Sequence, residues 1–391
     1  MSLHYEMPVI HNISDVLPCI EGKPEFLVVK KDYGVTIVNY AFQGADTFPP
    51  VIDRPTAILR ECRGLVFDSE TGDLVSRRLH KFHNFLERPD TSYIDVSRPH
   101  QVLEKLDGSM LSPLRLDGGI RWITKMGLTQ TSMQAETFVA KNPRYDAFAE
   151  HCISYNMTPI FEWCSPDNRI VVDYSEDALT LLAVRNNTSG TYWEYTSMVG
   201  IATAWNIPVV KAVCPPLASP EAFKEFEATV RAWEGMEGVV ITWDDGSRCK
   251  IKADTYVALH RAKAATEKER DVVGIVLDNK VDDLLPLLSD VGKTKLMAFE
   301  DAVWQDVWVF VAEVSDTRKQ YDKHTRKDFA QIEGINPAIR AAVFAIWDVW
   351  EGGTGPAIQD WAVAFIRKNL GNQAAFESKA RAILTTAKWS R

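Results

Sequence analysis

The period of the hydrophobic pattern changes once along this chain, near residue 265, and that change limits what it can fold into. Before it, short runs rich in β-branched and aromatic residues are separated by turns containing Gly and Asp. Phe26–Lys30 and Val35–Tyr40 flank Asp32-Tyr33-Gly34, and residues 111–116 and 120–124 flank Asp117-Gly118-Gly119. Residues 65–67, 160–164 and 179–184 read as further strands, and 236–241 and 249–252 flank Asp244-Asp245-Gly246-Ser247. Runs joined by such short turns pair antiparallel. Helical spacing in this part is confined to 132–156 and 219–233. After residue 265 it takes over, across 271–288, 295–314, 338–350 and 357–370, with Gly334, Pro337, Gly352, Gly355 and Pro356 as breakers. The expected fold class is α+β. Residues 1–264 form a domain of antiparallel sheets with flanking helices, and residues 265–391 an all-α domain. Trp304, Trp308, Trp347, Trp350 and Trp361 are expected in the core between packed helices.

Composition is that of a water-soluble globular protein, with 46% apolar and 25% charged residues among 391. No apolar run reaches membrane-spanning length, and the first seven residues carry neither a basic region nor an apolar one. A cytoplasmic protein without a membrane partner is therefore expected. Cys19, Cys62, Cys152, Cys164, Cys214 and Cys249 are scattered without paired spacing, which argues against a zinc site and a disulfide framework. A formal net charge of −9 argues against a wholly basic nucleic-acid binder but leaves room for a local basic groove. One cluster, Arg77, Arg78, His80, Lys81, His83 and Arg88, reads either as such a groove or as a solvated face.

Chemistry enters at Glu104-Lys105-Leu106-Asp107-Gly108-Ser109-Met110. Lys105 ends a strand-like run, and Asp-Gly turns the chain two residues later. Alone, such a lysine is a surface residue beside a hairpin. Further along, Glu162 and Glu237 sit in apolar strand-like runs, and Lys250 and Lys252 share one strand face because side chains alternate. A nucleophilic amine, paired cations and isolated acids in that order suit nucleotidyl transfer. An amine must be neutral to attack phosphorus, and the leaving pyrophosphate needs positive charge around it.

These residues resemble the motifs of the covalent nucleotidyltransferases, the superfamily of ATP-dependent ligases and RNA-capping enzymes. Within it the sequence is most similar to the bacteriophage T4-type RNA ligase 1 family. Lys105-Leu106-Asp107-Gly108-Ser109 resembles motif I. Phe161-Glu162-Trp163, with Pro166, Asn168, Arg169 and Tyr174, resembles motif III, and Leu181-Leu182-Ala183-Val184-Arg185 motif IIIa. Glu237-Gly238-Val239-Val240 resembles motif IV, and the run from Lys250 through Lys252 and Tyr256 to His260 motif V. Glu61-Cys62-Arg63-Gly64 and Lys81-Phe82-His83-Asn84 resemble segments that mark the family, with His83 where Phe is usual.

The resemblance implies that residues 1–264 are a nucleotidyltransferase domain and that the helical domain recognises RNA or tRNA. It implies ATP and Mg2+ or Mn2+ as cofactors, with AMP carried covalently on Lys105. Glu162 would contact the ribose, Glu237 would position the metal through water, and Lys250 and Lys252 would grip phosphates. Arg63, Lys81 and Lys125 would contact the triphosphate or an RNA 5′-phosphate. Leu182 and Val240 would sandwich adenine, with Tyr40 and Gly108 lining the site. The implied activity is joining of RNA 5′-phosphate and 3′-hydroxyl ends by a monomer, in repair of cleaved tRNA. A polynucleotide kinase/phosphatase that heals the ends is an expected partner, and a phage origin would place the protein in the host cytoplasm. Met110 stands where DNA ligases carry Arg, and a helical tail is unlike the OB-fold of capping enzymes. A DNA ligase, a capping guanylyltransferase and a catalytically silent RNA-end-binding protein remain the alternatives.

Overall fold

Every named strand pairs antiparallel with its neighbours, in three four-stranded sheets. The computed structural model describes residues 7–44, 46–116, 118–349 and 355–389. Asp117 of the expected turn, Trp350, Gly352 and the first six residues lie outside them. The first sheet has the order β1 (Phe26–Lys30), β2 (Val35–Tyr40), β3 (Arg63–Asp68), β4 (Leu74–Ser76). The second contains β5 (His100–Lys105), β10 (Ala212–Cys214), β11 (Gly238–Trp243) and β12 (Arg248–Lys252), in the order β10-β5-β11-β12. The third contains β6 (Ser109–Leu116), β7 (Gly119–Thr124), β8 (Met157–Cys164) and β9 (Ala178–Asn186), in the order β7-β6-β8-β9.

Strand alternation sorts the faces, and the first sheet is buried on both: Val38, Leu65 and Phe67 join one core cluster, and Val35, Ile37 and Val66 another with Leu114 and Ile123 of the third sheet. Val102, Val239, Ile241, Cys249 and Ile251 turn one face of the second sheet onto Phe223 and Val230 of helix Pro220–Arg231. In the third, Leu111, Phe161, Trp163, Leu179 and Leu181 pack with the helices Gln130–Ala140, Arg144–Ser154 and Tyr195–Ala204. The opposite faces of these two sheets line the cleft described below. Near the cleft, β9 carries a bulge: Phe161 pairs with Leu181 but Ile160 with Ala183. The extra residue is Leu182. Alternation slips by one there, so Leu182 and Ala183 both join Leu79 and Ile160 on the cleft side, while Val184 returns to the core.

The helix expected over 132–156 is two helices. Pro143 separates them because it cannot donate into a preceding turn, and the Asn142 side-chain Nδ2 donates to the Phe138 carbonyl at 2.9 Å to close the first.

The chain divides into two compact units, Met1–Val257 and Ala258–Arg391, and the division falls inside helix Asp254–Ala265. In the second unit, helix Asp290–Gln320 presents Leu296, Phe299, Val303, Val307, Phe310 and Val314 as one stripe. That spacing of three and four is the helical period. Helices Glu269–Leu277, Pro337–Ile346 and Gly355–Lys368 close the core around it. Trp304, Trp347 and Trp361 pack against this core. Trp308 does not. It sits one residue past Val307, roughly 100° around the helix, and is 54% exposed. No described helix is long and apolar enough to cross a membrane.

Candidate active site

Register across the second sheet sets the site. Gly238 of β11 lies directly between Lys105 of β5 and Lys252 of β12, and one step along Val240 lies between Leu103 and Lys250. Directly opposed residues share a face, so both rows point away from the Val239–Ile241 core and into the cleft. The two lysines meet over Gly238 because it has no side chain. Its φ of +142° and the backbone around it both require glycine: a Cβ there would lie 2.1 Å from the Ile251 carbonyl. That backbone turn delivers the buried Glu237 carboxylate between the two amines. Its oxygens lie 2.8 Å from Lys105 Nζ and 2.8 Å from Lys252 Nζ.

The turn after Lys105 is built around Asp107, whose buried carboxylate accepts from the Val171 and Val172 amides at 2.7 and 2.8 Å and from the Tyr256 hydroxyl at 2.6 Å. The Asp107 amide in turn donates to Tyr174 Oη at 2.9 Å. Asp107 therefore ties the nucleophile's turn to two distant segments. Gly108 closes the same turn against β8, where a Cβ would approach the Trp163 carbonyl to 2.2 Å. Its amide donates to Glu162 Oε1 at 3.2 Å, and Asn168 bonds Ser109 Oγ at 3.0 Å.

Glu162, on the cleft face of β8, and Lys250, on that of β12, have unusual protonation. Burial pushes the Glu162 carboxyl up to about 7; Lys105 opposes the shift and the Glu237 charge reinforces it. Burial brings the Lys250 ammonium down to about 7, helped by the charges of Lys105, Lys81, Lys252 and Arg63. Lys250 forms no ion pair among the described residues, and its Nζ lies 5.7 Å from the Phe82 ring centroid.

A second group of cations surrounds Tyr40. Lys125 Nζ lies 4.7 Å from its ring centroid and Lys81 Nζ 5.3 Å, with Lys81 also donating to Gln43 Oε1 at 2.5 Å. Burial alone would raise the Tyr40 hydroxyl, but Lys81, Arg63 and Lys125 hold it below its ordinary value. Gly64, at φ +86°, lets this end of β3 approach Lys125: a Cβ would lie 2.9 Å from the Lys125 Cα. On the third sheet Leu182 lies on the bulge and shares a cavity with Leu103, the neighbour of Val240. Every residue singled out in the sequence for nucleotide chemistry thus belongs to the first unit, and Lys105, Glu162, Glu237, Lys250 and Lys252 surround one end of the cleft.

The basic cluster divides: Lys81 stands among the cations around Tyr40, whereas most of the rest is interior rather than a solvated face or a groove. Arg77, Arg78, His80 and His83 are buried. Arg77 Nε lies 3.1 Å from Glu61 Oε2, and Arg185 grips the same carboxylate through both amines at 2.8 Å. Burial opposes ionisation of Glu61, yet the two guanidiniums hold it well below the usual carboxylate range. His80 is held neutral by burial and by the neighbouring Arg185. His83 Nδ1 bonds Glu87 Oε1 at 3.0 Å, and its ring meets Phe48 edge-on at 6.3 Å. The segment continues as a strap along β12: the Lys250 amide donates to the His83 carbonyl at 3.1 Å, and the Phe85 amide to the Lys250 carbonyl at 2.9 Å. Sequence reasoning assigned no role to Asp107, Tyr174, Tyr256, Glu61 or Arg185, although all five stand inside the motifs. A charged or hydroxyl residue fixed in an apolar run was the available signal.

Residues 61–256 match the family model described as RNA ligase, of the T4 type. A Thermovibrio ammonificans protein, provisionally named an RNA ligase, is 29% identical over 280 residues, which are 69% of this chain and 70% of that one. RNA ligase 1 of bacteriophage TS2126 is 26% identical over 291 residues, 71% of this chain and 69% of its own. Among solved structures, an archaeal ATP-dependent RNA ligase aligns with 62% of each chain at 16% identity and a TM-score of 0.43.

Proposed function

Because the chain belongs to the T4-type RNA ligase family, we propose that it is an ATP-dependent RNA ligase whose reaction runs through AMP held on Lys105. The observation that carries this is the Lys105–Glu237–Lys252 arrangement, an amine at the cleft mouth with a carboxylate and a second cation on it. Lys105 Nζ first leaves the Glu237 ion pair and gives up a proton. It then attacks the α-phosphorus of ATP; a P–N bond forms, the bond to the leaving oxygen breaks, and pyrophosphate departs. An RNA 5′-phosphate oxygen next attacks the same phosphorus, the P–N bond breaks, and the amine recovers a proton. Last, an RNA 3′-hydroxyl gives its proton to solvent as its oxygen attacks the 5′-phosphorus; the new P–O bond forms, the anhydride P–O bond breaks, and AMP leaves. Each step is phosphoryl-type transfer, so positioning and charge neutralisation dominate.

In this reading Lys250 and Lys252 hold phosphate oxygens, and Arg63, Lys81 and Lys125 extend the positive wall toward the triphosphate or the RNA 5′-phosphate. Tyr40 keeps Lys81 and Lys125 in place through its ring. Glu162 receives a ribose hydroxyl, and adenine lies between Leu182 and Val240, with Gly108 lining the site. No cluster of three metal-ligating side chains occurs among the described residues. A hard cation that keeps water and phosphate oxygens as ligands fits so sparse a donor set. Mg2+ or Mn2+ would be held by Glu237 through water, and when bound it neutralises phosphate charge.

The substrate is RNA with a 5′-phosphate and a 3′-hydroxyl, cleaved tRNA being the natural case, and the helical unit contributes RNA recognition. A broken end without a 5′-phosphate must be healed first, so a polynucleotide kinase/phosphatase supplies the substrate. The cytoplasm is the place of action in this reading, the host's if the chain is phage-encoded. Incubation with α-labelled ATP and a divalent metal tests the reading: the wild type acquires one AMP, seen by mass, and Lys105→Ala acquires none. A labelled Lys105→Ala protein would falsify it.

A further inference from the structure

The cleft does not end at Leu103 and Leu182. A cavity continues past them, lined on the second sheet by Gln101, Thr242 and Arg248 and on the facing side by Tyr192 and Trp193. Register makes the first three a third row, with Thr242 directly between Gln101 and Arg248. It lies two residues beyond the Leu103–Val240–Lys250 row and four beyond Lys105. At a strand rise of about 3.4 Å per residue, the rows are about 7 Å apart. The cleft face therefore runs from charged to mainly apolar to polar.

The polar row is furnished for a ligand. Arg248 is 8% exposed, forms no ion pair among the described residues, and its Nε has no hydrogen-bond partner. Its guanidinium is fixed in place all the same, 4.3 Å from the Tyr192 ring centroid, and the Tyr192 hydroxyl is already engaged by His80 Nδ1 at 2.9 Å. Gln101, half-buried on the cavity wall, has no side-chain hydrogen bond among the described residues. A buried guanidinium nitrogen without an acceptor is rare in a folded chain and calls for a partner, even though Tyr192 interacts with the rest of the group. Across Thr242, two strands away, the Gln101 amide offers an acceptor and a donor in one plane, the pattern that matches adenine.

We propose that Gln101 and Arg248 read the base of the nucleotide and so determine its identity. The inference rests on the reading above, in which the α-phosphate lies at Lys105 and the base between Leu182 and Val240. The far edge of that base then meets the third row. Gln101 accepts from the exocyclic 6-amino group through its carbonyl oxygen and donates to the adjoining ring nitrogen through its amide. Arg248 donates to a second ring nitrogen. Tyr192 is the positioning residue that keeps the guanidinium flat against the cavity wall.

Calorimetric titration of the full chain with ATP and with purine riboside triphosphate, which lacks the 6-amino group, tests this. The wild type binds ATP roughly tenfold more tightly, as for one buried hydrogen bond. Gln101→Leu binds both equally, whereas Gln101→Glu, which keeps an acceptor, retains a preference for ATP. Arg248→Met weakens both nucleotides to a similar degree. Equal binding of the two nucleotides by the wild type overturns the proposal, as does undiminished discrimination by a folded Gln101→Leu protein. Mass analysis of the same samples separates this outcome from failure of the ligase reading, which would show tight ATP binding without an AMP adduct.

Discussion

Glu237 holds two lysines because the residue after it has no side chain. Gly238→Ala would drive a methyl group into the Ile251 carbonyl at a φ that L residues avoid. We expect this variant to lose AMP-adduct formation by at least 100-fold, measured by quenched labelling, and to melt several degrees lower. Glu61 lies behind the site rather than in it. Removing one partner of a buried ion pair leaves the other charge uncompensated, so Glu61→Ala is expected to cost about 3–5 kcal/mol in chemical denaturation. Glu162 gives the pH dependence. Its folded value is raised, so its contribution to stability is full below pH 4.5 and lost as pH rises through about 7. Lys250 is depressed, so its contribution is full above pH 10.5 and lost as pH falls through about 7. Thermal melts should therefore show the wild type losing ground to Glu162→Gln between pH 5 and pH 8. A constant difference across that range would contradict the assigned burial.

At the level of elements, the strands and their turns could be read directly, because alternation and Asp-Gly or Gly-containing turns are local signals. The hairpin of β1 and β2 and the pair β11–β12 stand where the pattern put them. Lys250 and Lys252 share a face for the same reason. The Leu182 bulge could not be read, since an extra residue in one strand is defined only against its partner. Nor could the strap of His83 and Phe85, whose hydrogen bonds run to a strand more than 160 residues away in sequence. Phe85→Pro removes the amide that bonds the Lys250 carbonyl. Proline there should cost about 1–3 kcal/mol and speed hydrogen exchange at the Lys250 amide while sparing that of Ile251. Pro143 marks the helix break locally, but the apolar pattern runs on through it, so the pattern alone predicts one helix where there are two.

For the whole molecule, each of the two units carries a core of its own, so the first should keep its chemistry when expressed alone. Helix Asp254–Ala265 must stay intact in such a fragment, because Tyr256 bonds Asp107 from within it. Residues 1–268 are expected to form the AMP adduct with a rate within about threefold of the full chain, and residues 269–391 to give a helical circular-dichroism spectrum. A fragment that binds ATP but acquires no AMP would mean that the first unit is not chemically sufficient. By itself the sequence determined the antiparallel and helical parts, the lysine at its turn and the order of the charged motifs, since all of these follow from local spacing and residue chemistry. It also pointed to a basic surface at Arg77 and Arg78, yet both are buried: Arg77 clasps Glu61 together with Arg185, and Arg78 bonds Ser112 and the Gly64 carbonyl. Charge pattern alone cannot tell a solvated cation from one neutralised by a carboxylate elsewhere in the fold. Only the tertiary structure set Lys105, Glu237 and Lys252 within ion-pair distance, because cross-strand register joins residues that the chain separates by more than 130 positions.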